Sequence, residues 1–307
     1  MGRSKVTTAP VSESELLRII RPFLPEPSRD VLAGIGDDCA VIRMPRRGSS
    51  LHLLKTDAVI EGVHYASGTP LTQVGWKALC RPLSDIAAMG GIPGKALITV
   101  AAPSAWSRGD WKNLYRGIGK AARAFGVDVV GGESVRSPGA AFLSVTLTGE
   151  VSRRNLRLRN GARPGDLICV TGKLGGSLAS GRHLKFRPRL REGLWLGKQS
   201  GVTAMMDLSD GLGSDLPKLA EASACSFRIA EGSLPLHRNC TAKQGMSDGE
   251  DYELLVTVKP KSWPVLQRNW ISAHPELLLT PVGVVLPRGE KSSLLAPGFD
   301  HFDPGTR

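Results

Sequence analysis

The segment Thr203-Ala-Met-Met-Asp-Leu-Ser-Asp-Gly-Leu-Gly-Ser214 joins a strand pattern to a helix pattern through a short polar turn. Its first half, up to Leu208, is a mainly apolar run of strand length. Its second half opens a helix-like pattern that continues to Ala222, and Ser209 and Asp210 are residue types that cap a helix N-terminus. A strand that passes directly into a helix is typical of an α/β domain.

The same alternation continues along the rest of the chain. We predict strands, rich in β-branched residues and bounded by Gly, Pro or Asp, at Ser50–Thr56, Ala96–Ala101, Ala141–Val151, Asp166–Thr171, Thr203–Leu208, Tyr252–Val258 and Leu278–Leu286. Helix patterns fall at Glu13–Ile20, Val74–Met89, Trp106–Phe125, Glu192–Lys198, Leu212–Ala222 and Ser262–Ile271. The sequence therefore predicts an α/β fold, with Pro82 kinking or interrupting its helix.

A turn-rich segment, Arg157–Asp166, lies between two clear strand patterns and is the best candidate for a domain junction. With 307 residues and 41% hydrophobic content, the chain is long enough to form two cores. We place the boundary near residue 155, which gives an N-terminal domain of residues 1–155 and a C-terminal domain of residues 156–307.

The formal charge of +12 raises the question of nucleic-acid binding. The basic clusters, at residues 43–47, 153–163 and 182–191, lack interleaved aromatic residues for base stacking, and aromatic content is only 5%. We therefore expect no nucleic-acid partner. The charge forms a solvated surface or provides a general attraction for small anions.

Composition also bears on the compartment. We find no apolar stretch near the roughly 18 residues that a membrane-spanning helix requires, and no signal peptide. The five cysteines are scattered and show no Cys-x-x-Cys spacing, as expected of reduced thiols. The sequence predicts a cytoplasmic protein without a membrane segment.

Acidic residues concentrate at glycine-flanked or strand-end positions, which favours a site for cations. They are Asp37, Asp38, Asp57, Asp85, Asp207, Asp210, Glu250 and Asp251. Converging carboxylates repel one another unless a cation neutralises them, and oxygen ligands without Cys or His favour Mg²⁺. Because Mg²⁺ held in this way usually accompanies phosphates, phosphoryl transfer is the leading reaction class.

Alternative interpretations remain open for single residues. Each acid alone is also an ordinary cap, turn residue or surface charge. The sequence lacks a P-loop motif and a complete dinucleotide fingerprint, which argues against those enzyme classes. Gly131-Gly132-Glu133 is either a turn that approaches phosphate or a plain strand end, and His64 is either a ligand contact or a structural histidine.

A set of motifs, in this order, resembles the thiamine-monophosphate kinase family. The motifs are Gly34-Ile-Gly-Asp-Asp-Cys-Ala-Val41, Lys55-Thr-Asp-Ala-Val-Ile-Glu-Gly-Val-His64, Leu83-Ser-Asp-Ile-Ala-Ala-Met-Gly90, Arg163-Pro-Gly-Asp166, Met206-Asp-Leu-Ser-Asp-Gly-Leu212 and Gly249-Glu-Asp-Tyr-Glu-Leu254. The ending Gly298-Phe-Asp-His-Phe302 is similar too, so the resemblance extends over residues 12–302.

The resemblance implies a two-domain fold of the aminoimidazole-ribonucleotide synthetase superfamily, with mixed sheets and with N-terminal sheets that pair across a homodimer. It implies ATP-dependent phosphorylation of thiamine monophosphate to thiamine diphosphate at a site between the domains. Magnesium ligands would be Asp38, Thr56, Asp57, Asp85, Glu133, Asp207 and Asp210. ATP contacts would be Gly132, Glu133, Arg159 and Ser209, and substrate contacts would be His64, Glu250 and Phe299. No residue is expected to act as a general base or nucleophile.

Three positions depart from the family's usual pattern. Glu133-Ser134 replaces Asp-Thr, Lys55 replaces a small hydroxyl residue, and Asp248 replaces a glycine. Two rival functions stay open. One is another ATP-dependent enzyme of the superfamily, such as a purine synthetase or hydrogenase-maturation protein, with the same metal scaffold and a different acceptor. The other, which Glu133 and Lys55 favour, is a sensor that binds a phosphorylated ligand without turnover.

Overall fold

The computed structural model describes residue 23, residues 28–34, residues 36–43 and residues 50–300. The helix predicted at Glu13–Ile20 and the end of the last motif, at Phe302, lie outside these residues. Within them the chain forms two separate β-sheets with helices packed against them.

The first sheet comes from the N-terminal half. Its strands in the described part of the chain are β1 (Val31–Ala33), β2 (Ala40–Arg43), β3 (Ser50–Ile60), β4 (Ile92–Pro103), β5 (Asp128–Ser137) and β6 (Phe142–Ser152). Their spatial order is β1-β2-β3-β6-β4-β5, and only the β4–β5 pair among them is parallel. β5 is therefore an edge strand.

Two helices, α1 (Leu71–Ala88) and α2 (Arg108–Phe125), cover one face of this sheet. Alternate side chains of a strand point to opposite faces of the sheet. In β3, Leu51, Leu53 and Val59 are buried and pack in one core with the two helices, so the helices cover the face that carries these residues. The opposite face of the sheet, which includes Thr56, has no helix against it among the described residues.

The second sheet comes from the C-terminal half. Its described strands are β7 (Leu167–Thr171), β8 (Val202–Leu208), β9 (Ser226–Ile229), β10 (Glu253–Val258) and β11 (Leu279–Leu286). They lie in the order β8-β10-β7-β11-β9 and are antiparallel throughout. The accompanying helices are α3 (Leu190–Gly197), α4 (Leu212–Ala222), α5 (Ala242–Ser247) and α6 (Trp263–Ala273).

Helices cover both faces of the second sheet. Leu216 and Leu219 of α4 pack on one face, whereas Leu266 and Trp270 of α6 pack on the other. Because both faces are covered, β10 is buried along its whole length. Ala87 and Ala88 at the end of α1 join the α6 side of this core, so α1 contacts both sheets.

The strands of the first sheet end at Ser152 and those of the second begin at Leu167. The domain boundary proposed near residue 155 falls in the segment between them. Among the described residues, no helix combines the length and the hydropathy that crossing a bilayer would require.

The α/β prediction is confirmed, and each predicted strand and helix within the described residues overlaps an observed one. The predicted interruption at Pro82 is wrong, because α1 runs unbroken from Leu71 to Ala88 with Pro82 inside it. Cys80 and Leu83, close to Pro82 on either side, are fully buried, so packing maintains the helix despite the lost hydrogen bond. The sequence patterns missed β1, β2, β5, β9 and α5. Four of these are only three to six residues long, whereas β5 has ten residues and lies exposed at the edge of its sheet, where the burial pattern of a strand is weak.

Candidate active site

Three buried aspartates meet where the two sheets approach each other. Asp38 precedes β2, Asp85 lies in the last turn of α1, and Asp207 lies near the end of β8. One carboxylate oxygen from each lies within 4.8 Å of the others, and all three residues are buried. These residues are far apart in sequence, so the fold assembles the cluster, as the wide spacing of the motifs predicts.

The cluster carries strong electrostatic strain. Burial, reinforced by the charge of Asp38, raises the pKa of Asp207 to about 7. Burial likewise raises the pKa of Asp85 well above its ordinary value, although Lys55 opposes the shift. The pKa of Asp37 rises to about 6 through burial and the neighbouring charge of Asp38. Carboxylates in such an environment need a cation to be ionised at neutral pH.

Two cations of the chain already pair with the cluster. The Arg159 guanidinium donates from Nη2 to Asp38 Oδ1 at 2.7 Å and from Nε to Oδ2 at 3.2 Å. The ammonium of Lys55 lies 2.7 Å from Asp85 Oδ1. Burial alone would lower the pKa of Lys55, but the charges of Asp57 and Asp85 outweigh it and raise that pKa.

The donor set fits Mg²⁺. It consists of carboxylate oxygens that are held close together, buried and free of His or Cys ligands. The fit rests on geometry, since the fold brings one oxygen of each carboxylate within 4.8 Å of the other two. Asp38, Asp85 and Asp207 are therefore the core of the candidate metal site.

Asp57 and Thr56 are neighbours in β3 but project from opposite faces. Asp57 lies on the helix-covered face, 3.9 Å from Lys55 Nζ and 3.6 Å from Arg81 Nη2. The Thr56 hydroxyl instead makes hydrogen bonds of 3.3 Å to Ser144 Oγ and to Thr146 Oγ1. The structure thus brings Asp57 towards the cluster and turns the Thr56 side chain away from it.

Gly132 and Glu133 lie on the exposed edge strand β5. Register places Asp57 beside Val145, Val145 beside Ile98 and Ile98 beside Gly132. Three strand spacings, about 14 Å in total, therefore separate Gly132 from Asp57. A side chain at position 132 would clash with the backbone, because its Cβ would lie 1.9 Å from the Ile98 carbonyl oxygen. Within one chain, the structure does not bring Glu133 to the three aspartates.

Ser209 and Asp210 form the turn between β8 and α4. The Asp210 carboxylate accepts a 2.6 Å hydrogen bond from Lys218, and its backbone N–H donates to Asp215 at 2.9 Å. The Ser209 carbonyl accepts from the Glu250 N–H at 2.7 Å, which joins this turn to the segment before β10. Both residues face a cavity rather than the interior of the cluster.

This cavity has a volume of about 660 Å³. Its walls include His64, Arg81, Ser209, Asp210, Glu250, Tyr252 and Phe299. The structure therefore brings together all three residues expected to contact the acceptor substrate, and it places them next to Asp210. The Phe299 N–H donates to the Asp210 carbonyl at 2.8 Å, and the His64 ring accepts at Nδ1 from the Ile60 N–H at 3.1 Å.

The segment before β10 adopts an unusual backbone. Glu250 and Tyr252 both have positive φ values, 68° and 52°, although neither is glycine. The backbone N–H of Tyr252 donates to the Leu208 carbonyl at 2.8 Å and, with the bond from Glu250 to Ser209, fixes the segment on the end of β8. Such strain typically persists at functional sites because the surroundings enforce it.

Sequence reasoning missed Arg81 and Tyr252. The Nε and Nη1 atoms of Arg81 are buried and have no hydrogen-bond partner in the described part of the chain. A buried guanidinium with unused donors on a cavity wall is suited to an anion such as phosphate. Tyr252 stacks on Phe186 with ring centroids 3.8 Å apart, so the wall is rigid there. The available signal was the Glu-Asp-Tyr motif itself and an arginine four residues before Asp85, on the same face of its helix.

Comparison with known protein families shows which proteins this chain is similar to. Residues 36–151 match the family model of the AIR synthase related protein, N-terminal domain. The thiamine-monophosphate kinase of Bacillus subtilis is 31% identical over 95% of this chain and its own full length. The thiamine-monophosphate kinase of Rhodopirellula baltica is 35% identical over 77% of this chain and 79% of its own.

Solved structures show the same architecture. A structure described as AaThiL complexed with AMPPCP and TMP has a TM-score of 0.81 and 30% identity, covering 98% of this chain and 99% of its own. A hydrogenase maturation protein HypE in complex with ATP has a TM-score of 0.65 at 19% identity, covering 92% of this chain and 89% of its own. The latter likeness concerns the fold alone.

Proposed function

This chain belongs to the thiamine-monophosphate kinase family, and from that premise we propose that it transfers the γ-phosphoryl group of ATP to thiamine monophosphate. The observation that carries the proposal is the cavity, in which His64, Glu250 and Phe299 lie beside Asp210, at the edge of the buried aspartates. An acceptor pocket next to a carboxylate cluster is the arrangement that metal-assisted phosphoryl transfer requires.

In the proposed reaction, an oxygen of the acceptor's phosphate forms a bond to the γ-phosphorus of ATP. The bond from that phosphorus to the β–γ bridging oxygen breaks in line, and ADP leaves. Because a phosphate oxygen is already largely ionised at neutral pH, no general base or nucleophilic side chain is needed. The chain's task is to bring two polyanions together in a fixed orientation.

We propose that Asp38, Asp57, Asp85, Asp207 and Asp210 hold Mg²⁺. The bound ions would neutralise the phosphates and the charge of the transition state. Thr56 and Glu133 remain in the proposed ligand set on the resemblance alone, since neither side chain faces the three buried aspartates. For ATP we propose Gly132, Glu133, Arg159 and Ser209.

We assign the cavity to thiamine monophosphate. Phe299 offers a face for one of the heterocycles, Glu250 and His64 offer polar contacts, and Arg81 offers unused donors for the phosphate. This agrees with the solved relative that is described as a complex with AMPPCP and TMP.

The first test is to supply purified protein with Mg-ATP and thiamine monophosphate and to measure ADP and thiamine diphosphate. We expect equal amounts of both products. We expect EDTA to abolish their formation, because without Mg²⁺ the carboxylates of the site repel the phosphates. An active enzyme that phosphorylates a different acceptor would point instead to another member of the superfamily.

A non-catalytic sensor is the second candidate, and one observation favours it. The Lys55 ammonium lies 2.7 Å from Asp85 and neutralises part of the negative charge that would otherwise attract Mg²⁺. In a single-turnover assay, a sensor would bind both ligands and transfer no phosphate. Asp57→Ala provides the inactive reference in that assay. Transfer in the parent protein that is absent from the variant would exclude the sensor.

We also propose that the protein is a homodimer that pairs its first sheets. The face of this sheet opposite α1 and α2 exposes large apolar side chains, including Leu54, Ile92, Leu97 and Val135, and it ends in the edge strand β5. An uncovered apolar face beside a free edge is a typical interface for a second copy. Thr56 and Glu133 lie on this same face.

Light scattering after gel filtration should give twice the chain mass of 32.7 kDa. Leu97→Glu should shift the protein to the monomer, because the carboxylate would be buried in the apolar interface. Ile271→Glu is the matched control, since Ile271 is similarly exposed at 60% but lies on α6. A monomer in the parent protein at micromolar concentration would contradict the proposal.

The proposed location is the cytoplasm. All five cysteines are free thiols, and Cys39, Cys80 and Cys169 are buried, as is usual for a protein in a reducing compartment.

A further inference from the structure

Lys77 is a fully buried lysine on α1, with no exposed side-chain surface. Its ammonium group has three hydrogens and meets three acceptors. These are the His64 carbonyl oxygen at 2.6 Å, His183 Nδ1 at 3.0 Å and the carboxylate oxygen Oε2 of Glu250. A buried ammonium is tolerated only when it is paired in this way, so each contact is needed.

The three acceptors come from different parts of the fold. His64 follows β3 of the first sheet, whereas His183 and Glu250 belong to the half of the chain that forms the second sheet. His64 and Glu250 are also walls of the acceptor cavity. The Lys77 side chain of α1 therefore contacts both His64 and Glu250 from the protein interior and links these two walls of the cavity.

The charges support this arrangement. Burial lowers the pKa of Lys77 to about 8, although the attraction of Glu250 opposes the shift, so the ammonium form prevails at neutral pH. Burial and the charge of Lys77 lower the pKa of His183 to about 4. The imidazole is therefore neutral at pH 7, and its Nδ1 acts as an acceptor for Lys77.

Glu250 is held through one oxygen only. Oε2 accepts from Lys77 and, at 3.3 Å, from the Tyr252 hydroxyl, while no hydrogen bond from residues 50–300 ends on Oε1. The carboxylate is thus anchored on the side of the protein interior, and its second oxygen remains for a partner in the cavity.

We propose that Lys77 is a positioning residue that fixes Glu250 and the His64 segment around the acceptor, so that the two halves of the chain present one preformed pocket. This rests on the proposed function in so far as the acceptor is thiamine monophosphate. It also gives the segment 182–191 a role, because its His183 supplies the third acceptor.

Lys77→Met keeps the length of the side chain and removes the ammonium. We expect the KM for thiamine monophosphate to rise at least tenfold while the KM for ATP changes less than twofold. Thr203→Val is the control for lost stability, because it breaks partly buried hydrogen bonds to Asp166 and Thr257 away from the cavity. It should lower Tm without changing either KM. Equal changes in both KM values, or a loss of kcat alone, would show that Lys77 is merely structural.

A double-mutant cycle with Glu250→Gln tests whether Lys77 acts through Glu250. In the Glu250→Gln background, Lys77→Met should raise the KM for the acceptor less than twofold further, because the contact is already altered. If the two substitutions raise the KM for the acceptor by factors that multiply in the double variant, Lys77 does not act through Glu250 and the proposal is overturned. If Lys77→Met fails to fold, His183→Leu removes one acceptor only and should raise the same KM by a smaller factor, about threefold.

Hydrogen exchange separates this proposal from the proposed function, because it needs no substrate. The amides of Glu250 and Tyr252 should exchange faster in Lys77→Met than in Thr203→Val, since their bonds to Ser209 and Leu208 depend on the anchored carboxylate. If the parent protein makes no thiamine diphosphate, the proposed function is contradicted, but the exchange rates of the two variants still test the role of Lys77. Unchanged exchange in Lys77→Met contradicts the role of Lys77.

Discussion

Asp207→Asn is expected to reduce kcat by about 10³-fold and, in metal-free buffer, to make the folded protein more stable. The loss of activity follows because Asp207 is one of three buried carboxylates whose oxygens lie within 4.8 Å of one another. The amide keeps the shape of the side chain but removes a charge that Mg²⁺ requires. The gain in stability follows because burial and the charge of Asp38 make that same charge unfavourable when no metal is present.

The gain should depend on pH. The pKa of Asp207 in the folded protein is about 7, above the value of roughly 4 in an unfolded chain. The unfolded state therefore releases this proton first, and the folded state of the parent loses stability as the pH rises from about 4 to about 7. Asp207→Asn lacks this loss, so its advantage in free energy of unfolding should be small at pH 4 and amount to a few kcal/mol at pH 8.

Urea denaturation in EDTA at pH 5, 6, 7 and 8 measures this difference, and a steady-state assay measures kcat. Asp166→Asn is the matched control, because Asp166 is also buried but accepts hydrogen bonds from Thr203 and from the Arg163 N–H. It should lose stability and retain kcat. An Asp207→Asn protein that is less stable than the parent at every pH would rule out an unfavourable buried charge at Asp207.

Local patterns were sufficient for much of the fold. Strand and helix periods located β3, β4, β6, β8 and β10, because these runs are long or deeply buried and clearly bounded. Acidic residues at strand ends and helix ends pointed to a cation site. The structure brings Asp38, Asp85 and Asp207 together, although the chain segments that carry them are distant in sequence. That they bind a cation stays a prediction.

Other features depended on information that local patterns do not contain. Glu133 was expected beside the metals, but the strand order β3-β6-β4-β5 is not the order along the chain, so its distance from Asp57 could not be inferred from spacing. The positions of Thr56 and Asp57 are different, because the period of two in a strand already requires neighbouring side chains to point to opposite faces. Lys77 gave no signal, since a lysine on an amphipathic helix is usually solvated.

Lys55→Met is expected to lower the free energy of unfolding by about 3 kcal/mol in metal-free buffer. Lys55 is the cation that lies 2.7 Å from the Asp85 carboxylate, and both side chains are mostly buried. Removing the ammonium leaves a buried carboxylate without its partner, which is costly because water cannot replace the lost contact. The apolar methionine fills nearly the same volume, so the effect reports charge rather than packing.

Mg²⁺ should reverse most of this loss. If Lys55 neutralises charge that a metal ion would otherwise neutralise, then saturating Mg²⁺ stabilises Lys55→Met more than it stabilises the parent protein. The measurement is Tm with EDTA and with increasing MgCl₂. Lys95→Met is the control, because the pair Lys95–Asp128 is exposed at 64% and 73% and should contribute less than about 1 kcal/mol.

These measurements decide whether Lys55 and Mg²⁺ compete for the aspartates or act together on them. A large loss in EDTA that Mg²⁺ recovers means that Lys55 and Mg²⁺ compete for the same carboxylates, so the free enzyme uses Lys55 to hold the cluster together until metal and nucleotide arrive. An equal loss with and without Mg²⁺ means that Lys55 and the metal act together in the loaded site. No loss in either buffer contradicts the pairing with Asp85, because an unpartnered buried carboxylate cannot be neutral in its effect on stability.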